Sequence, residues 1–416
     1  GGLDASATAI VVLSCQRPEY LDQTLRSLLS LEGIGRFTVI ISQDGSHAGV
    51  EQLAQATASK HPNVRHVHNS MRQDHRAKKE QAAVHYIADH YKFVLTHVFE
   101  HERYTHAILV EEDMVVSRDF LQLFINTAPL LDQDPTLMCV SSWNDNGYKH
   151  LDLDPTRLFR TGFFPGLGWM LKKELWLEVK ATWPASHWDH WMRCDSQSKG
   201  RDCIAPERLQ NVAFANGAPA DFGDLAYLLK PAYEGYMRGL LGSAKPSSWS
   251  AALSAGAGVN LRVGYLRNEW SVIAQRFGLY VSNWPRGQFE HVTLVRTKGR
   301  TILFFDRLQS PLAPLGEGLA PAELHPEGGD QGKSCEAVCA SKGKRCGDQW
   351  FDLVNNCKSL MAHFPCPRGC AYEVGPDIPV YVSDLNHSNG GVCLITDANP
   401  TCAASHPSTS RLCPCV

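Results

Sequence analysis

Three consecutive acids, Glu111-Glu112-Asp113, follow directly on the apolar run Ala107-Ile108-Leu109-Val110. Three carboxylates packed together repel one another, so the cluster needs a compensating cation or open water around it. Asp44 follows a second apolar run, Phe37-Thr38-Val39-Ile40-Ile41, and Cys15-Gln16-Arg17 follows a third, Ala9-Ile10-Val11-Val12-Leu13. An all-oxygen ligand set suits a hard ion such as Mg or Mn, which commonly takes one or two carboxylates together with phosphate oxygens and water. Such an ion on a diphosphate would neutralise the charge developing on a nucleotide leaving group. Neither a G-x4-G-K-[ST] P-loop nor a G-x-G-x-x-G turn after the first run is present, which argues against kinase, ATPase and dehydrogenase chemistry. A nucleotide-sugar transferase survives that exclusion, because there metal and carboxylates handle the diphosphate.

These groups meet only if the runs before them are parallel strands. Ala9–Leu13, Phe37–Ile41 and Ala107–Val110 are continuous apolar runs, as strands covered on both faces require, and Val64–His68 is a weaker fourth. Pro18 opens a helical stretch with Tyr20, Leu21, Leu25, Leu28 and Leu29 at helical spacing. Residues 77–99 form a long helical pattern through Ala82, Ala83, Tyr86, Ile87, His90 and Val94, and another helix is expected from about Ser117, where Ser117-Arg118-Asp119 offers a cap and a first-turn acid. This rhythm predicts an α/β fold with a mostly parallel sheet and right-handed crossovers. Ligands of such sheets bind at the carboxyl ends of the strands, where all three polar sets lie. Beyond residue 137 the chain turns aromatic, and Trp143, Trp169, Trp176, Trp183, Trp188 and Trp191 read mostly as core. Pro165-Gly166-Leu167-Gly168-Trp169 reads as a tight bend whose glycines permit close backbone approach.

At 416 residues, with 44% hydrophobic and 20% charged, the chain has the material for two or three domains with a sizeable core and is not disordered. Its net charge of −3, from 40 basic and 43 acidic residues, lacks the basic footprint of a nucleic-acid binder. An anionic ligand must therefore be held by a local site. No apolar run reaches the roughly 18 residues that cross a bilayer, and the opening Gly1-Gly2-Leu3-Asp4-Ala5 reads as a trimmed start without targeting information. Of 14 cysteines, ten lie between Cys335 and Cys415 with no C-x2-C pair, which favours a disulfide-stapled module over a zinc site. The pairing is not deducible from spacing. Asn386-His387-Ser388 in the same segment is a glycosylation sequon, in keeping with a secretory compartment. A Pro/Gly-rich stretch over 307–333 reads as a linker.

Ser14-Cys15-Gln16-Arg17, Ser42-Gln43-Asp44, Gln73-Asp74-His75-Arg76, Val110-Glu111-Glu112-Asp113, Ser142-Trp143-Asn144-Asp145-Asn146-Gly147, Phe163-Phe164-Pro165-Gly166-Leu167-Gly168-Trp169 and Trp188-Asp189-His190-Trp191-Met192-Arg193 stand in this order. Together they resemble glycosyltransferase family 13, the family of β-1,2-N-acetylglucosaminyltransferases, strongly over about residues 8–215. The resemblance implies a GT-A fold, UDP-GlcNAc as donor, Mn2+ (or Mg2+) as metal, inversion at the anomeric carbon, and a mannose or other glycan hydroxyl of a glycoprotein as acceptor. Arg17, Asp44 and His90 match residues that hold the uridine, Glu111 and Glu112 match neighbours of ribose and sugar, and Asp113 matches the metal-contacting carboxylate. Trp188 joins the donor set. Asp189 matches the catalytic base, which an inverting displacement needs on the face opposite the leaving diphosphate; His190 is a rival with a suitable intrinsic pKa. Cys139 and Cys203 match a family disulfide. Cys15 matches half of another whose partner position is here Gly45, so Cys15 and Cys194 are expected to be free. Phe214 to Leu225 falls where relatives have a loop that orders over the donor.

The tail faintly resembles the cysteine-rich C-terminal region of N-acetylglucosaminyltransferase V. The expected organisation is a GT-A domain over 8–306, the linker over 307–333 and a disulfide-rich module over 334–416, in a Golgi-lumenal type II protein whose membrane anchor lies outside this chain. The same fold with another UDP-sugar (xylose, galactose, GalNAc) and a glycan-binding protein without turnover are the alternatives.

Overall fold

Each of the four runs forms a strand in a computed structural model, which describes residues 2–70, 72–208, 222–319, 324–396 and 398–416 and, within them, all side chains but that of Glu80. The chain groups into two units. Gly1–Lys149, Leu153–Arg193 and Gly200–Tyr236 make the first; His150–Asp152, Cys194–Lys199 and Met237–Val416 make the second.

In the first unit the elements run β1 (Thr8–Ser14), α1 (Pro18–Leu29), β2 (Thr38–Gln43), α2 (Ala48–Lys60), β3 (Val64–His68), α3 (Ala82–Thr96), β4 (His106–Glu111), α4 (Phe120–Gln133), β5 (Leu137–Ser141), β6 (Leu158–Thr161), β7 (Trp169–Lys172), α5 (Lys173–Val179), α6 (Trp188–Met192) and β8 (Asp202–Pro206). Every residue of β1 is buried, and β4 is buried up to Glu111, which explains why these runs lack alternation. Pro18 occupies the first turn of α1, where its fixed φ costs nothing, and Leu21, Leu25 and Leu28 face the core. The sheet order is β3-β2-β1-β4-β7-β5-β8-β6. The first four strands are parallel, as expected. Beyond them β7 runs antiparallel to both β4 and β5, and β6 antiparallel to β8, so the second half of the sheet is mixed.

Register decides what gathers at the carboxyl edge. Leu13 pairs with Glu111 and Ser14 pairs with Gln43, so Cys15, Asp44 and Glu112 leave their strands at one level. The helical stretch expected over 77–99 is present but not uniform, its last turn, His97–His101, being π-helical. Residues Arg76–Gln81 form a 3-10 stretch interrupted at Lys79 (φ 51°), and the α-helix starts only at Ala82. Arg76 to Gln81 offers almost no apolar side chain to bury, and helices take most of their stability from such burial. The expected bridge Cys139–Cys203 is formed between adjacent strands β5 and β8.

The second unit carries β9 (Lys245–Pro246), β10 (Asn260–Tyr265), β11 (Val292–Thr297) and β12 (Arg300–Asp306) in the order β11-β12-β10-β9. It also carries β13 (His325–Gly328), β14 (Cys370–Tyr372), β15 (Val380–Val382), β16 (Cys393–Ile395) and β17 (Thr409–Cys415) in the order β13-β17-β15-β16-β14. Residues 325–328, read from sequence as linker, are thus an edge strand of the tail's sheet, and an edge is where Pro326 is tolerated. All ten tail cysteines are bridged: Cys335–Cys413, Cys339–Cys415, Cys346–Cys402, Cys357–Cys370 and Cys366–Cys393. Cys346 and Cys402 lie beside Asp348 in a metal-like cluster, but their disulfide leaves no thiolate for a metal. Buried Arg267 pairs with half-buried Asp352 at 2.5 Å, and Gln309 donates to the Asp352 carbonyl at 2.8 Å, so residues 237–319 and the tail share polar ties inside one unit.

Candidate active site

At the carboxyl edge of β1, β2 and β4 lies a cleft of about 480 Å³, lined among others by Arg17, Asp44, His90, Glu111 and Glu112. Five of the expected donor residues therefore share one cavity. Cys15, Arg72, Tyr86 and Tyr91 line it too.

Glu112 is buried and its carboxylate is fully engaged. The Cys15 N–H donates to Oε2 at 2.9 Å and Arg17 Nε donates to Oε1 at 2.8 Å, while Thr24 Oγ1 donates to the Glu112 carbonyl at 2.6 Å. Arg17 also reaches Asp113 Oδ2 at 3.1 Å. The cation that offsets the acidic triplet within the chain is therefore Arg17, which the resemblance assigns to the uridine. Glu111 accepts from Tyr91 OH at 2.9 Å. Burial pushes its carboxyl above the usual range, and the negative charges of Asp113 and Asp189 push the same way against the Tyr91 hydrogen bond.

Asp44, only 3% exposed, accepts from Asn69 Nδ2 at 2.9 Å and is ion-paired with Arg72, whose guanidinium stacks 4.0 Å from the Tyr86 ring centroid. Gly45 after it has φ +75°, and a Cβ there would come within 3.0 Å of Arg72 Nη1, so a side chain at this turn would be strained and would crowd the pair. His90 is buried with Nε2 2.8 Å from Ser42 Oγ. Burial lowers its pKa from 6.5 to about 4, so it is neutral at physiological pH. The unfolded chain binds the extra proton between those values, so stability falls as pH drops from about 6.5 to 4. His90→Gln, which keeps a polar partner for Ser42, is expected to flatten this dependence by up to about 1.4 kcal/mol per pH unit. Denaturant unfolding of both proteins at pH 4.5, 5.5 and 6.5 checks it, and parallel curves would refute the assignment.

Asp189 opens α6. Arg193 Nη1 lies 3.0 Å from its Oδ2, and His190 Nε2 lies 3.8 Å away. Arg193 Nε donates to the Phe164 carbonyl at 3.1 Å and its guanidinium stands 4.7 Å from the Phe163 ring, so the bend at Phe163-Phe164-Pro165 helps fix the carboxylate. Trp188 is buried, 4.0 Å centroid to centroid from Tyr91 and stacked at 5.8 Å on Trp169 and 5.9 Å on Trp183. It backs the cleft through Tyr91. Gln73-Asp74-His75-Arg76 acts as a local frame: His75 Nε2 meets Asp89 Oδ2 at 2.6 Å and Arg76 pairs with Asp74 at 2.7 Å. Arg72 and Tyr86, which sequence reading did not select, flank that motif; Tyr91 directly follows His90.

Cys15 is a free thiol, as expected. Burial and the nearby Asp44 push the Cys15 thiol up, which makes it a poor nucleophile. For a hard divalent ion the accessible donor at this rim is Asp113, whose side chain is 38% exposed. Glu112 and Glu111 are committed elsewhere, and one carboxylate with phosphate oxygens and water is a sufficient set, so the residues fit. Residues 214–221 of the expected lid lie outside the described residues.

Residues 3–220 match the GNT-I family. The chain is 33% identical over 322 residues to the Arabidopsis thaliana alpha-1,3-mannosyl-glycoprotein 2-beta-N-acetylglucosaminyltransferase, covering 69% of this chain and 71% of that protein. Among solved structures it is similar to a Pyrobaculum calidifontis mannosyltransferase in complex with GDP-Man and Mn2+ (14% identity, TM-score 0.34, 60% of this chain and 65% of that one). It is also similar to S. aureus TarS in complex with UDP-GlcNAc (11% identity, TM-score 0.33, 56% and 66%). In each case it spans just under two thirds of the solved chain. With more than half of its length matched by the family and a one-third identical relative covered over most of both chains, this chain belongs to the GNT-I family.

Proposed function

We propose that this chain is an inverting, divalent-metal-dependent N-acetylglucosaminyltransferase that moves GlcNAc from UDP-GlcNAc to a mannosyl hydroxyl of a glycoprotein glycan. The observation that carries this reading is the cleft lined by Arg17, Asp44, His90, Glu111 and Glu112, with Trp188, the chain neighbour of Asp189, packed 4.0 Å from Tyr91 of its wall. The Arabidopsis relative's name supports the donor sugar and the acceptor class.

In this proposal Asp44 and neutral His90 hold the uridine with Arg17, and Glu111 and Glu112 face ribose and sugar. Trp188 keeps Tyr91 and the sugar wall in place. A divalent ion on Asp113, Mn2+ with Mg2+ as its nearest substitute, would supply positive charge to the departing diphosphate. Asp189 takes the proton from the acceptor hydroxyl as that oxygen attacks the anomeric carbon opposite the diphosphate, which inverts the centre. Arg193 orients the Asp189 carboxylate for this transfer. We assign the reaction to the Golgi lumen, and the disulfides support an oxidising compartment. Residues 334–416 serve in this reading as an accessory module of the enzyme.

The test is UDP release from UDP-GlcNAc, UDP-GalNAc, UDP-galactose and UDP-xylose, with a mannosyl acceptor, in Mn2+ and in chelator. Release confined to UDP-GlcNAc with metal is the expected result. Turnover of UDP-xylose alone would move the donor assignment, and no release from any donor would make the protein a glycan binder.

A further inference from the structure

Outside the cleft, the feature with the clearest unassigned chemistry is the turn joining β15 to β16. Asn386-His387-Ser388 is the one Asn-X-Ser/Thr tripeptide with X other than proline in the 416 residues; Asn399-Pro400-Thr401 is excluded by its proline. All three residues of the tripeptide are exposed.

The shape of this turn does not depend on the side chains that the modification would use. The Asn386 N–H donates to Asp384 Oδ1 at 3.0 Å and the His387 N–H to the Asp384 carbonyl at 3.1 Å. Arg368 Nη1 donates to the carbonyls of Ser388 (3.1 Å) and Gly390 (3.0 Å), and the Gly390 N–H donates to the His387 carbonyl at 2.8 Å. Among the described residues the Asn386 amide and the Ser388 hydroxyl take no part in this network. Two other asparagines of the tail behave differently. The amide of buried Asn355 donates to the Thr396 carbonyl at 2.6 Å, and Asn356 caps a helix by accepting from the Ser359 N–H at 2.8 Å. Asn386 is thus an exposed side-chain amide on a hydrogen-bonded turn, and among the described residues that amide does not hold the turn together.

The compartment is indicated independently. Five disulfides within about 80 residues form and persist in an oxidising lumen. We propose that Asn386 carries an N-linked glycan received from a lipid-diphosphate-linked oligosaccharide. Asn386 Nδ2 bonds to the anomeric carbon, the carbon–oxygen bond to the diphosphate breaks, the diphosphate leaves with the electron pair, and the amide proton passes to solvent base. The glycan would lie beside Leu385, which is 71% exposed, and screen that side chain from other proteins.

The experiment is intact mass and peptide mapping of the full chain from a secretory eukaryotic host, before and after peptide-N-glycosidase. The expected result is a glycopeptide containing Asn386, converted to aspartate on deglycosylation. The mass shift disappears in Asn386→Gln and in Ser388→Ala, and it persists in Ser388→Thr. Transferase activity of Asn386→Gln matches the parent, since the turn is remote from the reacting groups in sequence and has no assigned role in them. Recovery of the Asn386 peptide solely as the bare amide overturns the proposal, as does a mass shift surviving in both Asn386→Gln and Ser388→Ala.

Discussion

Asp189→Asn lowers kcat by roughly 10²–10⁴-fold while UDP-GlcNAc binding is retained. Asparagine keeps the size of the side chain and can still lie against Arg193, 3.0 Å from Oδ2 in the parent protein. It cannot accept the acceptor's proton. The loss therefore falls on turnover and not on donor affinity, and calorimetric titration of UDP-GlcNAc beside single-turnover kinetics separates the two. A second readout guards against the rival base. If His190, 3.8 Å from Asp189, took the proton instead, His190→Gln would carry the large loss and Asp189→Asn a small one. A kcat for Asp189→Asn within threefold of the parent would dismiss this carboxylate as the base.

The largest expected change in stability comes from Arg160→Met. Arg160 is fully buried, with Nη1 2.6 Å from Asp134 Oδ2 and Nε and Nη2 2.9 and 2.8 Å from Asp202 Oδ2. Nη2 also donates to Thr136 Oγ1 at 2.8 Å and Nη1 to the Leu228 carbonyl at 2.9 Å. Removing this guanidinium strands two buried carboxylates, which costs about 3–5 kcal/mol. That is a large fraction of the roughly 5–15 kcal/mol by which proteins are stable. Replacing both acids as well, with Asp134→Leu and Asp202→Leu, recovers much of the loss, because an apolar trio carries no desolvation cost. Chemical denaturation of the first unit's signal measures both, and a single-variant loss under 1 kcal/mol would show that water reaches the cluster.

Strands are legible in this sequence where one property suffices to mark them. Residues Ala9–Leu13, Phe37–Ile41 and Ala107–Val110 are apolar without interruption because both faces of a parallel strand are covered, and each became β1, β2 or β4 with its polar groups just beyond the carboxyl end. Over 77–99 the helical pattern is legible but the start of the α-helix at Ala82 is not, because apolar periodicity marks a face to bury and says little about where the chain first has one. β13 hid inside a Pro/Gly-rich stretch because an edge strand needs no apolar pattern of its own. The site shows the same division. Asp44, His90 and the triplet carried signals of type and order, whereas Arg72 stands in no recognisable pattern and joins the cleft only because the chain after β3 brings it onto Asp44.

By itself the sequence determined the four parallel strands, the rim at which chemistry-bearing residues emerge, the family and the disulfide-rich character of the tail, since all of these are written in local runs, ordered motifs and counts of cysteine. Which charges meet was decided by tertiary structure alone: Arg17 on Glu112 and Asp113, Arg160 between Asp134 and Asp202, Arg267 on Asp352, and the five tail disulfides chosen among many possible pairings. Such pairings depend on distances of a few ångströms between residues tens of positions apart, and those distances are fixed by strand register and packing, which no short stretch of chain encodes.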